Sequence, residues 1–208
     1  MTLCDRGRAV LLACALLLLP AGGAAQDTPP APTNDDCLMC HGDTAAQRAD
    51  GSSVFVDAST FAASVHGQLE LTCIACHADV ATGEFPHAEK LQPAQCGACH
   101  DASAFEASIH GRALEAGKSP APTCASCHGS HDILPSTEPQ SRTYLLNIPG
   151  TCGTCHGAAG SQNGAPGGNV VSMFEDSIHG RALLRSGLNV APTCVSCHGA
   201  HDIAPKNE

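Results

Sequence analysis

Cys124-Ala-Ser-Cys127-His128-Gly-Ser-His131-Asp-Ile133 is the stretch whose reading decides this chain, and it returns, with two substitutions, as Cys194-Val-Ser-Cys197-His198-Gly-Ala-His201-Asp-Ile203. Its Cys-x-x-Cys-His core occurs four more times, as Cys37, Cys40 and His41; Cys73, Cys76 and His77; Cys96, Cys99 and His100; and Cys152, Cys155 and His156. Two thiols three positions apart can add across both vinyl groups of one haem, and the adjacent His then sits under the iron. Six such elements predict six covalently bound haem c groups.

Other uses of paired cysteines explain less. A structural zinc needs four ligands, so these pairs would have to combine two by two, with the recurring His unexplained. A thioredoxin-like redox pair needs a βαβ context and is usually single. A disulfide framework gives no reason for His after every second Cys.

Composition points the same way. The 208 residues hold 14 Cys and 12 His, no Trp, only 3% aromatic residues and 14% charged ones, so an ordinary aromatic-anchored core is excluded. Gly 21 and Pro 14 favour loops over long regular elements. Ten basic residues and a net charge of −10 argue against a nucleic-acid partner. Residues 1–25 read as a secretory signal peptide, with Arg6 and Arg8 ahead of the apolar run Ala9 to Leu19 and small residues up to Ala25. That run is too short to span a bilayer. A lipoprotein site at Cys14 would cut the apolar run in two. Losing Arg6, Arg8, Asp5, Cys4 and Cys14 with the signal leaves 183 residues, a net charge of −11 and twelve cysteines, all of them in the six motifs. The expected mature protein is acidic and periplasmic, or extracellular.

Beyond the six motif histidines stand six more, His66, His87, His110, His131, His179 and His201, one for each expected haem. Met1 leaves with the signal, Met39 lies between the cysteines of its own motif, and Met173 alone remains as a competing ligand. Bis-histidine ligation is therefore expected throughout. His131 and His201 each follow a motif His by three residues. Axial ligands approach iron from opposite faces of a flat macrocycle, so these two are expected to serve haems other than their neighbours'.

An internal repeat organises the chain. Ser108-Ile-His110-Gly111-Arg-Ala-Leu114 recurs as Ser177-Ile-His179-Gly180-Arg-Ala-Leu183, and Ser64-Val-His66-Gly67 is a diverged copy. The expected fold is mainly irregular with short α-helices, haems forming the core, in three tandem di-haem units at 26–94, 95–149 and 150–208. Asp101 and Asp57 or Ser59 read as caps of helices ending near His110 and His66, and Val170 to Ser186 reads as a helix stopped by Gly187. Gly67, Gly111 and Gly180 would let a porphyrin face approach the backbone, or equally serve as helix punctuation. Ser53 to Val56 and Tyr144 to Ile148 are strand candidates; Gln26 to Asn34 and Ala158 to Asn169 read as linkers, the latter lacking the Gly-Lys-Ser/Thr ending of a phosphate loop. Asp202-Ile-Ala-Pro205 repeats Asp132-Ile-Leu-Pro135, which precedes a long linker, so the pattern also suits a longer array.

Taken together, the Cys-x-x-Cys-His elements, the Ser-Val/Ile-His-Gly segments and the Cys-His-Gly-x-His-Asp-Ile segments resemble the multihaem c-type cytochromes of the class III, or cytochrome c3-like, family. The resemblance implies periplasmic electron transfer through closely stacked haems, with redox proteins such as a membrane quinol-oxidising cytochrome as partners. It makes His66, His110 and His179 helical sixth ligands, and His131 and His201 those of the Cys-His-Gly-x-His segment. The first unit departs from the pattern, since Ala78 replaces the Gly and Pro86-His87 comes later. With both axial positions filled, catalysis at iron is disfavoured and low potentials are expected. The alternatives are a reductase of nitrogen or sulfur oxyanions with one open haem, against which no Cys-x-x-Cys-Lys occurs, and a subunit of an extracellular haem filament that self-associates.

Overall fold

The computed structural model describes residues 30–158 and 168–204. The expected signal peptide, with Cys4 and Cys14, and most of the Gly-rich linker fall outside them. Among the described residues the architecture is short helices joined by irregular chain, with an isolated antiparallel bridge between Gln47 and Ser53 and no strand. The second strand candidate is a turn instead. The Tyr144 carbonyl accepts from the amides of Asn147 at 2.8 Å and Ile148 at 3.1 Å, leading into a helix over Ile148–His156 whose early Pro149 suits a helix start.

The recurring local device is a corner at serine. Helices α1 (Ala58–Ala63) and α2 (Val65–Gln68) meet at Ser64, and α3 (Ser103–Ala107) and α4 (Ile109–Glu115) meet at Ser108. In the third repeat Val170–Asp176 meets Ile178–Gly180 at Ser177, and the chain runs on as a wider turn through Arg185. Each serine has extended backbone, near φ −70°, and ends one helix while starting the next. Its hydroxyl accepts from the amide of Gly67, Gly111 or Gly180 at 3.1 Å, satisfying one of the orphan donors of the new helix. The single helix expected over 170–186 is thus broken in two. Asp57 caps α1 through a 2.9 Å bond from the Thr60 amide, whereas Asp101 accepts from the Ser103 amide outside α3, whose N-cap is Ala102.

The corner supplies a reason of its own for the glycines. Gly67 and Gly111 lie inside the second helix of their corners, and Gly180 closes Ile178–Gly180, from which the chain runs on in the wider turn through Arg185. A Cβ on them would overlap the carbonyls of Phe61, Phe105 and Phe174, and would come within 2.7 Å of the Cα of Ala62 or Glu175 and 2.6 Å of that of Glu106. The backbone of the preceding helix occupies the space.

Side chains alone bury little. Among the described residues the buried apolar ones are Val80, Leu183 and Ala191, with Leu183 at 0% exposure, while Met39, Leu69, Phe85 and Ile178 are exposed. Repeats are joined instead by specific bonds. The Val65 amide donates to the Ile133 carbonyl at 2.9 Å, and its counterpart Ile109 donates to Ile203 at 3.0 Å. Both amides belong to the first residue of a helix, which has no partner within its own helix. No helix among the described residues is long and apolar enough to cross a membrane.

Candidate functional site

Every Cys-x-x-Cys-His element sits on a short helical turn, α-helical in five and 3-10 at Cys96–Ala98. Threonine sets the start of three of them: the amide of Thr33 donates to Asp36 Oδ2 at 2.8 Å, and those of Thr123 and Thr193 donate to the hydroxyls of Ser126 and Ser196 at 2.9 and 3.0 Å. At Cys73 the start is long-range, its amide donating to Asn34 Oδ1 at 2.7 Å. Within each repeat the first cysteines of the two motifs are neighbours: Cys37 and Cys73, Cys96 and Cys124, and Cys152 and Cys194. Burial and the adjacent Cys37 push the Cys73 thiol up to about 11. The neighbouring Cys152 thiol holds Cys194 down at about 7, and Cys194 together with burial raises Cys152. Between repeats, Cys76 lies close enough to Cys96 and Cys99, and Cys127 to Cys155, for their charges to be felt.

The histidines form pairs. Ring centroids lie 5.8 Å apart for His41 and His87, 6.2 Å for His77 and His131, 6.1 Å for His66 and His100, 5.8 Å for His128 and His201, and 6.1 Å for His110 and His156. In all five, one partner is a motif His and the other a spare His. Two bonds of about 2 Å from imidazole nitrogens to a shared metal, with ring radii of about 1.1 Å, span roughly 6.2 Å between centroids. The observed separations are close to that span.

Tautomers fit as well. His41 Nδ1 lies 2.9 Å from the Val54 carbonyl and His87 Nδ1 lies 2.8 Å from that of Ala88. A carbonyl can only accept, so each Nδ1 is the donor, and Nε2 is the ring nitrogen left to face a metal, on rings only 5° from parallel. His110, His128 and His131 are held below the usual histidine range, first by burial and then by neighbouring imidazoles, which keeps the neutral, metal-binding form. Among the described residues no three His, Cys, Asp or Glu converge as a cage for a bare ion. The donor set suits a planar metal group anchored at its edge by two thiols and held on both faces by imidazole.

The first repeat differs for a backbone reason. Gly129 and Gly199 follow their motif His with φ +88° and +77°, and the carboxylates of Asp132 and Asp202 fold over them where a Cβ would stand. Ala78 cannot adopt that turn cheaply, and the chain enters a 3-10 turn over Ala78–Val80 instead. The sixth spare His of this arrangement arrives later as His87 and meets His41 of its own repeat. His131 is beside His77 and His201 beside His128, each away from the motif that precedes it in the chain. His179 and His198 are both exposed and have no ring partner among the described residues.

Some contributors carry no advance signal. The Val54 carbonyl that orients His41 and the Asn34 side chain under Cys73 are positioned only by the fold. Asp132 and Asp202 had one, being repeated in the His-Asp-Ile segments. Asp132 is fixed further by Arg142, whose Nη2 donates to its Oδ2 at 3.0 Å.

Comparison with known proteins gives one family. No curated protein and no solved structure matches the chain. Residues 59–129 match the model of the family described as cytochrome c7 and related cytochrome c, a segment that holds the motifs at Cys73, Cys96 and Cys124. The match carries covalently bound haem c and electron transfer by a multihaem cytochrome for that segment.

Proposed function

We propose that this chain is a periplasmic hexahaem c-type cytochrome that passes electrons between a membrane or soluble donor, such as a membrane quinol-oxidising cytochrome, and a terminal acceptor. The observation that carries the reading is the set of five imidazole pairs, each joining a motif His to a spare one at close to the span of two metal–nitrogen bonds. The motifs at Cys37, Cys152 and Cys194 lie outside the family match, and their assignment rests on the repeat.

Haem c, when bound, supplies reversible one-electron chemistry at iron. The protein's part is positional. Each cysteine pair fixes a ring edge, and each imidazole pair fixes the two faces. Nδ1–H bonds such as that from His41 to Val54 strengthen the imidazole as a donor, which favours the oxidised metal and low potential. Sites succeed one another in chain order: His41 is felt at His131, His100 at His128, and Cys127 lies near Cys155. This continuity supports transfer along the chain. An acidic surface, at a net charge of −10, suits a partner with a basic docking face and a salt-dependent rate of encounter.

Intact mass with a haemochrome assay tests the reading, six haems per chain being expected. A redox titration should place most of them below zero on the hydrogen scale. Fewer than six haems, or mostly positive potentials, would overturn it.

A further inference from the structure

Four of the five paired spare histidines are seated in the body of the fold. His66 and His110 follow corner serines that are 1% and 4% exposed, in helices whose first amides are tied to the Ile133 and Ile203 carbonyls at 2.9 and 3.0 Å. His131 and His201 lie two residues before those same carbonyls. Each of these long-range bonds therefore holds two of the spare histidines in place.

His87 is held differently. It lies on a strap of residues 84–94, between the 3-10 turns at Ala78–Val80 and Cys96–Ala98. Among the described residues no backbone–backbone hydrogen bond starts or ends on this strap. Two side-chain bonds tie it to the chain beyond its immediate neighbours. The Ala49 amide donates to Glu89 Oε1 and the Gln92 amide to Asp79 Oδ2, both at 2.8 Å and both exposed to water. The imidazole adds no third tether, because His87 Nδ1 donates to the carbonyl of Ala88, the next residue of the strap. Its partner His41 donates instead to Val54, outside the strap, and stays in place when the strap lifts. A segment with so few protected backbone groups opens locally at low cost.

The surroundings of this pair are acidic. Residues 26–94 hold ten Asp and Glu against two Lys and Arg, and Asp50, Glu84 and Glu89 are exposed on the strap or beside its Ala49 tether. A field of that sign repels small anions and leaves uncharged molecules unaffected.

We propose that His87 is an exchangeable ligand: the strap lifts, and the site built from Cys37, Cys40 and His41 takes a small uncharged donor such as carbon monoxide in its place. The lone pair of the donor replaces that of His87 Nε2, and no electron is transferred. The inference rests on the haem reading above, and the order of the experiment separates the two. Mass analysis of the peptide holding Cys37 and Cys40 comes first; a peptide without haem fails the underlying reading, and the inference with it. The holoprotein is then reduced and exposed to carbon monoxide, with hydrogen exchange followed at single amides. Those of Ala49 and Gln92, bonded to the two tethers, should lose protection by about tenfold on uptake, whereas those of Val65 and Ile109 should keep theirs. Glu89→Ala removes one tether and should speed uptake by about tenfold, whereas Glu115→Ala, at another exposed carboxylate, should leave the rate unchanged. Azide offered to the oxidised protein should leave Ala49 and Gln92 protected, and their deprotection by azide would overturn the choice of an uncharged donor. Uptake with Ala49 and Gln92 still protected would place the exchanged ligand at another site and overturn the inference. No uptake, or a rate unaltered in Glu89→Ala, would overturn it as well.

Discussion

Replacing Gly111 by Ala tests the corner that carries His110. A Cβ there meets backbone, standing 2.6 Å from the Glu106 Cα and overlapping the Phe105 carbonyl, where ordinary contact begins near 3.4 Å. Neither obstacle is the flexible end of a side chain, so the two helices must part by at least about 0.8 Å to clear the Glu106 Cα, and by more to clear the Phe105 carbonyl. Overpacking of this kind costs roughly 1–3 kcal/mol. At about 2 kcal/mol the midpoint falls by about 4–8 °C for a chain of this size. The same opening displaces His110 from His156, now 6.1 Å away, so loss of a low-spin ferric signal should accompany the destabilisation. Gly150→Ala is the control. Gly150 lies in the first turn of Ile148–His156 with nothing within 4 Å of its added Cβ, and Ala should be neutral or stabilise by up to about 1 kcal/mol. Thermal melts followed by circular dichroism, with electron paramagnetic resonance of the oxidised holoprotein, read both effects. A Gly111→Ala protein that melts with the wild type and keeps every low-spin haem would refute the backbone-contact argument.

Three further outcomes follow from the same geometry. His131→Ala should alter the haem attached at Cys73 and Cys76, because His131 stands 6.2 Å from His77; site-resolved spectra changing only at the Cys124 and Cys127 haem would contradict the pairing. Ser108→Ala removes the acceptor of the Gly111 amide and a 2.6 Å bond to the Phe105 carbonyl, and should cost about 1 kcal/mol in a denaturant melt, whereas Ser172→Ala, at an exposed hydroxyl, should cost less. At Asp132, burial raises the carboxyl, but the Ser130 amide and Arg142 outweigh it and the net shift is downward. Its stabilising effect is therefore full above the ordinary carboxylate range and lost as pH falls through the lowered value. Both partners of its ion pair are well exposed, so Asp132→Asn should cost no more than about 1 kcal/mol at pH 7, with the difference from wild type vanishing in acid.

The motif cysteines and their adjacent histidines are legible in the chain because the chemistry they serve is local. Two thiols and an imidazole within five residues define an attachment site whatever the rest of the fold does. The serine corner is legible only in part: Ser64, Ser108 and Ser177 repeat visibly, but a cap that breaks a helix and a cap that begins one look alike until the preceding backbone is in place. Hence one helix was expected over 170–186 where two meet.

The number and position of the Cys-x-x-Cys-His elements, the repeat and the supply of spare histidines are written in the chain. Which imidazole faces which is set by packing. The two faces of a flat group are reached by chain segments that cannot be neighbours, so partners such as His77 and His131, or His128 and His201, lie far apart in the chain and are brought together by junction contacts such as Ile109 to Ile203. That physical requirement also distinguishes His198: its motif is a close copy of that of His128, and its different surroundings come from what packs against it.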